Sequence, residues 1–103
     1  MSGPAEVRDR ALIEEARREI DRIDGELVRL LSERAENVRT IGDAKRRLGE
    51  PIYQPDREEK VFERVLAANS GPLDDGAIRR LFERIVDEAR RLERMAYKDN
   101  ENE

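Results

Sequence analysis

Apolar residues recur along the first half of the chain at alternating spacings of three and four. Ile13, Ala16, Ile20, Ile23, Leu27 and Leu30 open the series, and Leu31, Ala35, Val38, Ile41, Ala44 and Leu48 extend it. That rhythm marks one face of an α-helix. No proline interrupts the stretch before Pro51. Two glycines, Gly25 and Gly42, lie inside it, each costing about 1 kcal/mol relative to alanine. The pattern predicts one long helix over roughly residues 8–48, stopped by Gly49 and Pro51.

After a short connection at Glu50–Gln54, Pro55 suits the first position of a second helix. Asp56, Glu58 and Glu59 follow in its first turn, where the helix dipole favours anions. Its stripe is Val61, Phe62, Val65 and Leu66, and Asn69-Ser70-Gly71-Pro72 ends it. Asp74 or Asp75 can cap a third helix with the stripe Ile78, Leu81, Phe82, Ile85, Val86, Ala89, Leu92 and Ala96. Residues 1–10 are small and polar and read as a flexible N-terminus. The helical domain is expected over residues 11–97, and the polar tail 98–103 is expected to be disordered. No strand pattern and no internal repeat are found, so the expected fold class is all-α, with one long helix and two shorter ones.

At 1.5 Å per residue the three helices would be roughly 60, 20 and 35 Å long. The two shorter ones cannot cover the whole apolar stripe of the first. A soluble monomer does not leave such a stripe uncovered. The expectation is an intertwined homodimer in which two long helices run past each other. The alternative is a helix broken at Gly25 or Gly42 and folded back as a monomeric bundle; neither glycine is accompanied by other turn residues.

Composition narrows the chemistry. The 103 residues are 45% charged and 37% hydrophobic, with a formal net charge of −4 and no Cys, His or Trp. One domain fits this length. Without Cys there is no disulfide, no thiolate nucleophile and no thiolate zinc site; without His the commonest general base and imidazole ligand are missing. Any catalysis falls to Arg, Lys, Asp, Glu, Tyr, Ser or backbone groups. The acidic balance argues against nucleic acid as a partner. No apolar run approaches the roughly 20 residues needed to span a bilayer and no signal-peptide pattern opens the chain, so the sequence reads as cytoplasmic with no membrane partner.

Several charges stand where the pattern calls for apolar residues. Arg34 interrupts the heptad series Ile13, Ile20, Leu27, Ile41, Leu48, and Lys45, eleven residues later, shares nearly the same face. On the third helix Glu93 points with the stripe of Phe82 and Val86. On the second, Glu58 sits at the inner edge before Phe62, flanked by Arg57. Each alone is commonly a snorkelling cation or a structural ion pair. Together, on three helices, they describe a cationic cavity holding one or two carboxylates, suited to a small dicarboxylate. Arg offers such a ligand bidentate geometry and Lys a point charge.

These residues resemble a known family, the all-helical chorismate mutases. The likeness covers roughly residues 12–97. It rests on ARREIDRID at Ala16–Asp24, LLSER at Leu30–Arg34, IGDAK at Ile41–Lys45, PIYQPDRE at Pro51–Glu58 and LFERIV at Leu81–Val86, in that order and spacing. The resemblance implies an intertwined dimer with two shared active sites that converts chorismate to prephenate, a step toward phenylalanine and tyrosine. It implies that Arg34 pairs with one substrate carboxylate and Arg17, from the other chain, with the second. Lys45 would contact a carboxylate and the ether oxygen, and Glu93 would stand beside that oxygen opposite Lys45. Glu58 would accept a hydrogen bond from the ring hydroxyl near the Gln54 backbone, with Arg57 lining the pocket. Arg17 lies roughly 25 Å along the helix from Arg34 and about 100° around it, which one chain cannot easily bring to one small ligand. The chain departs from the family at three places. Gln54 stands where an acidic residue is common. Ala89 replaces a common Ser, so that position loses a donor to the substrate carboxylate. Glu93 occupies a position held by Gln or Glu.

The implied reaction is a unimolecular rearrangement that needs no nucleophile, metal or cofactor. The protein would hold the compact substrate conformer with its arginines and stabilise developing charge on the ether oxygen with Lys45 and Glu93. Two alternatives stay open: an isochorismate pyruvate-lyase on the same scaffold, and a non-catalytic helical dimer that regulates a shikimate-pathway enzyme. A bare coiled coil would leave the second and third helices without a purpose.

Overall fold

The computed structural model describes residues 3–101. It contains three α-helices and, among the described residues, no strand: α1 (Pro4–Leu48), α2 (Pro55–Ala68) and α3 (Asp75–Glu101). The chain divides into two units, the first ending at Arg34 and the second running from Ala35.

α1 continues without a break through Gly25 and Gly42, so the folded-back bundle is not what this chain forms. It starts at Pro4, earlier than periodicity suggests, because proline fits the first helical position and the Gly3 carbonyl accepts the Val7 amide at 3.1 Å. Its end is a Schellman turn. Gly49 takes φ +71°, its amide donates to the Arg46 carbonyl at 3.2 Å, and the Glu50 amide reaches back to the Lys45 carbonyl at 2.9 Å.

From Pro4 onward the first unit is helix, and every described residue before Arg34 is exposed. That includes Leu12, Ile13, Ile20, Ile23, Leu27, Val28, Leu30 and Leu31, which show 42–63% of their surface to solvent. Pairs one turn apart line the polar side: Arg10–Glu6, Arg17–Glu14, Arg22–Glu19 and Arg29–Glu26, at 2.6–3.2 Å. Such exposed pairs support the helix only weakly.

The second unit holds the core. Val38 of α1, Phe62 of α2 and Val86 of α3 are its buried apolar side chains, one from each helix. The Arg79 guanidinium lies over the Phe62 ring, 4.5 Å from its centroid. The connection from α2 to α3 is stapled by Asn69, whose side-chain amide donates to the Leu73 carbonyl and to Asp75 Oδ1, both at 2.9 Å, while its Oδ1 accepts the Gly71 amide. Asp74 rather than Asp75 caps α3: Asp74 Oδ1 accepts the Ala77 amide at 2.7 Å. α3 runs past its apolar stripe to Glu101, because no Gly or Pro follows Gly76 to stop it. Asn102 and Glu103, the end of the expected disordered tail, lie outside the described residues.

Asp74→Ala removes the cap and is expected to lower stability by about 1 kcal/mol, whereas Asp74→Asn keeps an acceptor and stays close to wild type. Urea denaturation followed by circular dichroism checks both.

Candidate active site

Glu93 is the one charged residue that the structure buries, at 8% exposure, among the described residues. Burying a carboxylate is costly unless a cation meets it. Lys45 does so: its Nζ lies 3.0 Å from Glu93 Oε2, and the two side chains are 11% and 10% exposed. Nζ also donates to the Ile52 carbonyl at 2.9 Å. Lys45 is therefore tied to the α1–α2 connection twice, by its side chain here and by its backbone carbonyl in the Schellman turn. α3 passes close to α1 at position 42. A Cβ built on Gly42 would stand 3.4 Å from Glu93 Cγ and 3.5 Å from its Cα, in ordinary van der Waals contact. Position 42 thus has room for a methyl group and little more.

Glu58, in the first turn of α2, meets Arg90 of α3, with Arg90 Nε 3.0 Å from Glu58 Oε2. This is an ion pair by distance without a directed hydrogen bond, since the buried Nε proton has no aligned acceptor. Arg90 Nη2 donates to Asp87 Oδ1 at 2.7 Å, and its guanidinium lies over Tyr53, 5.3 Å from the ring centroid. Periodicity and charge patterning do not single out Arg90. The available signal is its position three residues before Glu93, on the same side of α3.

Gln54 precedes α2, and its carbonyl accepts the Arg57 and Glu58 amides at 3.1 and 3.2 Å. Its side chain makes no cap and instead reaches Glu50 Oε2 at 3.4 Å. Arg57 is exposed. With Tyr53, Gln54, Lys60 and Arg64 it lines an open groove of about 600 Å³ beside Pro51 and Pro55. Ala89 is half-buried, one turn before Glu93.

The structure thus brings Lys45 and Glu93 into direct contact, places Glu58 against Arg90, and sets Gln54 and Arg57 along one groove, all in the second unit. Arg17 and Arg34 belong to the first unit. The Arg17 side chain is exposed and pairs with Glu14 at 3.2 Å; Arg34, its last residue, is half-buried. No group of His, Cys, Asp or Glu side chains among the described residues is arranged to hold a metal ion. No helix among them is long and apolar enough to cross a membrane.

An all-helical fold carrying a buried lysine–glutamate pair invites comparison with characterised proteins. The family model for chorismate mutase type II matches residues 16–94. A solved chorismate mutase from Thermus thermophilus superposes with a TM-score of 0.78 at 43% identity, over 80% of this chain and 93% of that one. A chorismate mutase from Helicobacter pylori, solved in complex with prephenate, superposes with a TM-score of 0.78 at 30% identity, over 85% of this chain and 96% of that one. The bifunctional chorismate mutase/prephenate dehydratase of Neisseria gonorrhoeae is 41% identical over 78 residues, 76% of this chain. The chain spans only 16% and 21% of the length of the Aquifex aeolicus and Neisseria gonorrhoeae bifunctional relatives. The chain belongs to the chorismate mutase type II family.

Lys45→Met leaves a buried carboxylate without its cation and is expected to cost about 3 kcal/mol. Glu93→Gln, which keeps a polar partner for Nζ, should cost less than half of that. Guanidinium denaturation of the two variants beside wild type measures the difference.

Proposed function

We propose that this chain catalyses the rearrangement of chorismate to prephenate. The observation that carries the proposal is the buried Lys45–Glu93 pair, anchored to the Ile52 carbonyl, in a chain whose family match runs from residue 16 to residue 94. The prephenate complex of the Helicobacter pylori relative supports the choice of ligand.

The reaction breaks one C–O bond and forms one C–C bond within a single molecule. The protein's tasks are to hold the reacting carbons together and to stabilise negative charge as it develops on the ether oxygen. Lys45 is already desolvated and fixed at both ends, so it meets that charge with little reorganisation. Glu93 accepts from the ammonium and holds it in place beside that oxygen. Glu58 accepts the ring hydroxyl, the Gln54 backbone lies beside it, and Arg57 lines the approach. Ala89 offers the substrate only an apolar surface. Arg34 pairs with one carboxylate, and Arg17 of a second copy pairs with the other.

That second copy is part of the proposal. The exposed apolar series on α1 supports a homodimer, because leaving that many large aliphatic side chains in water is unfavourable by about 25 cal/mol per Å². No nucleic acid, membrane or cofactor enters this reading, and a cytoplasmic location belongs to it.

Purified protein incubated with chorismate should consume its absorbance and yield prephenate; release of pyruvate from isochorismate instead would assign the lyase. Arg34→Ala is expected to lower kcat/KM by at least about 100-fold, or ~3 kcal/mol of transition-state binding, with helicity kept. Activity within tenfold of wild type would remove Arg34 from the carboxylate site. For the shared site, Arg17→Ala and Lys45→Ala proteins are unfolded, mixed and refolded together. Each is inactive alone, and random pairing restores about a quarter of the wild-type sites. An inactive mixture that contains mixed dimers contradicts a site built by two chains.

A further inference from the structure

Most ion pairs of this chain join residues one turn apart on a single helix and stand in solvent. Two that join different elements are better shielded: Lys45–Glu93, already placed in the mechanism, and Arg90–Glu58, with side chains 32% and 20% exposed. The second has an unusual construction. A brace between α2 and α3 would close with the Arg90 Nε proton aimed at the carboxylate. Here that proton has no aligned acceptor, although Nε stands 3.0 Å from Glu58 Oε2. The short directed bond of Arg90 goes to Asp87 on its own helix, at 2.7 Å, and its guanidinium lies over the Tyr53 ring. Arg90 is therefore held by Asp87 and Tyr53 and presents its charge, rather than a directed donor, to Glu58.

Charge without a directed bond has a specific effect. A bare carboxylate in a pocket for a doubly negative ligand repels that ligand. A cation beside it cancels the repulsion. A directed bond from the cation would take one of the carboxylate's acceptor sites and set the direction of the rest. Arg90 does the first and leaves the acceptor free. We propose that Arg90 is a positioning residue for Glu58: it neutralises the carboxylate so that a dianionic substrate can approach, and leaves the carboxylate's lone pairs to the substrate hydroxyl. The inference rests on the chorismate reading of the preceding subsection.

The test compares Arg90→Met in two backgrounds, wild type and Glu58→Gln, with chorismate as substrate. In the wild-type background kcat/KM is expected to fall about tenfold, mostly through KM, because the uncovered charge of Glu58 opposes binding. In the Glu58→Gln background the same substitution is expected to change kcat/KM by less than about twofold, since no charge is left to cancel. Arg90→Lys should stay within about threefold of wild type. Melting curves establish that each variant folds, and Arg90→Gln replaces Arg90→Met if the latter does not. Equal fold-losses in both backgrounds, or an Arg90→Lys loss as large as that of Arg90→Met, overturn the proposal and make Arg90 a structural brace. A wild-type protein that leaves chorismate unchanged overturns the functional reading itself, and this inference with it.

Discussion

A carboxylate taken out of water must be met by a cation, and in this chain the pair Lys45–Glu93 answers that requirement. Much of the second unit is arranged around it. The stem of Glu93 lies against α1 at Gly42, within contact distance of where a Cβ would stand. The Ile52 carbonyl takes another Nζ proton, which fixes the direction of the ammonium. Val86, seven residues before Glu93 on the same helix, belongs to the core, so the stripe that builds the fold also delivers the charge. A buried ion pair is weak evidence for stability, because well-packed apolar residues often do as well. Its retention in so thin a core is what the proposed function accounts for.

The two units are stabilised by different physics. Among its described residues the first has no buried side chain, and exposed ion pairs one turn apart line its helix. The second is supported by Val38, Phe62 and Val86, one buried apolar side chain from each helix. Isolated helices are marginal in water, and most helical stability in proteins comes from covering an apolar face. The stripe on α1 carries that demand into the family assignment, which spans both units.

Much of this is legible in the sequence for identifiable reasons. The helix boundaries at Gly49, Pro55 and Asn69 can be read because each carries a residue whose backbone preference dictates a stop or start. Lys45 and Glu93 are legible because helical spacing puts Lys45 on the face of Arg34, which interrupts an apolar series, and Glu93 on the stripe of Phe82 and Val86. The start at Pro4 escapes periodicity because no apolar pattern reaches that far, although proline at a first helical position is itself a signal. The extension of α3 to Glu101 escapes it for the same lack of a stripe. Arg90 is hidden by composition: in a stretch crowded with arginines nothing distinguishes the one that faces Glu58 on another helix. The bond from Lys45 to the Ile52 carbonyl depends on how a turn aims one oxygen, which residue types do not encode.

The left-handed residue at Gly49 carries a consequence out of proportion to its size. Its amide and that of Glu50 close the turn on Arg46 and Lys45, and the same few residues then aim the Ile52 carbonyl at the Lys45 ammonium. A side chain at position 49 would have nothing near it to strike, yet it would strain the backbone there by about 1 kcal/mol or more. Relief of that strain would unwind the last turn and release the ammonium's anchor. The geometry of the Lys45–Glu93 pair can thus be lost through a residue that touches neither side chain, by way of main-chain dihedral angles alone.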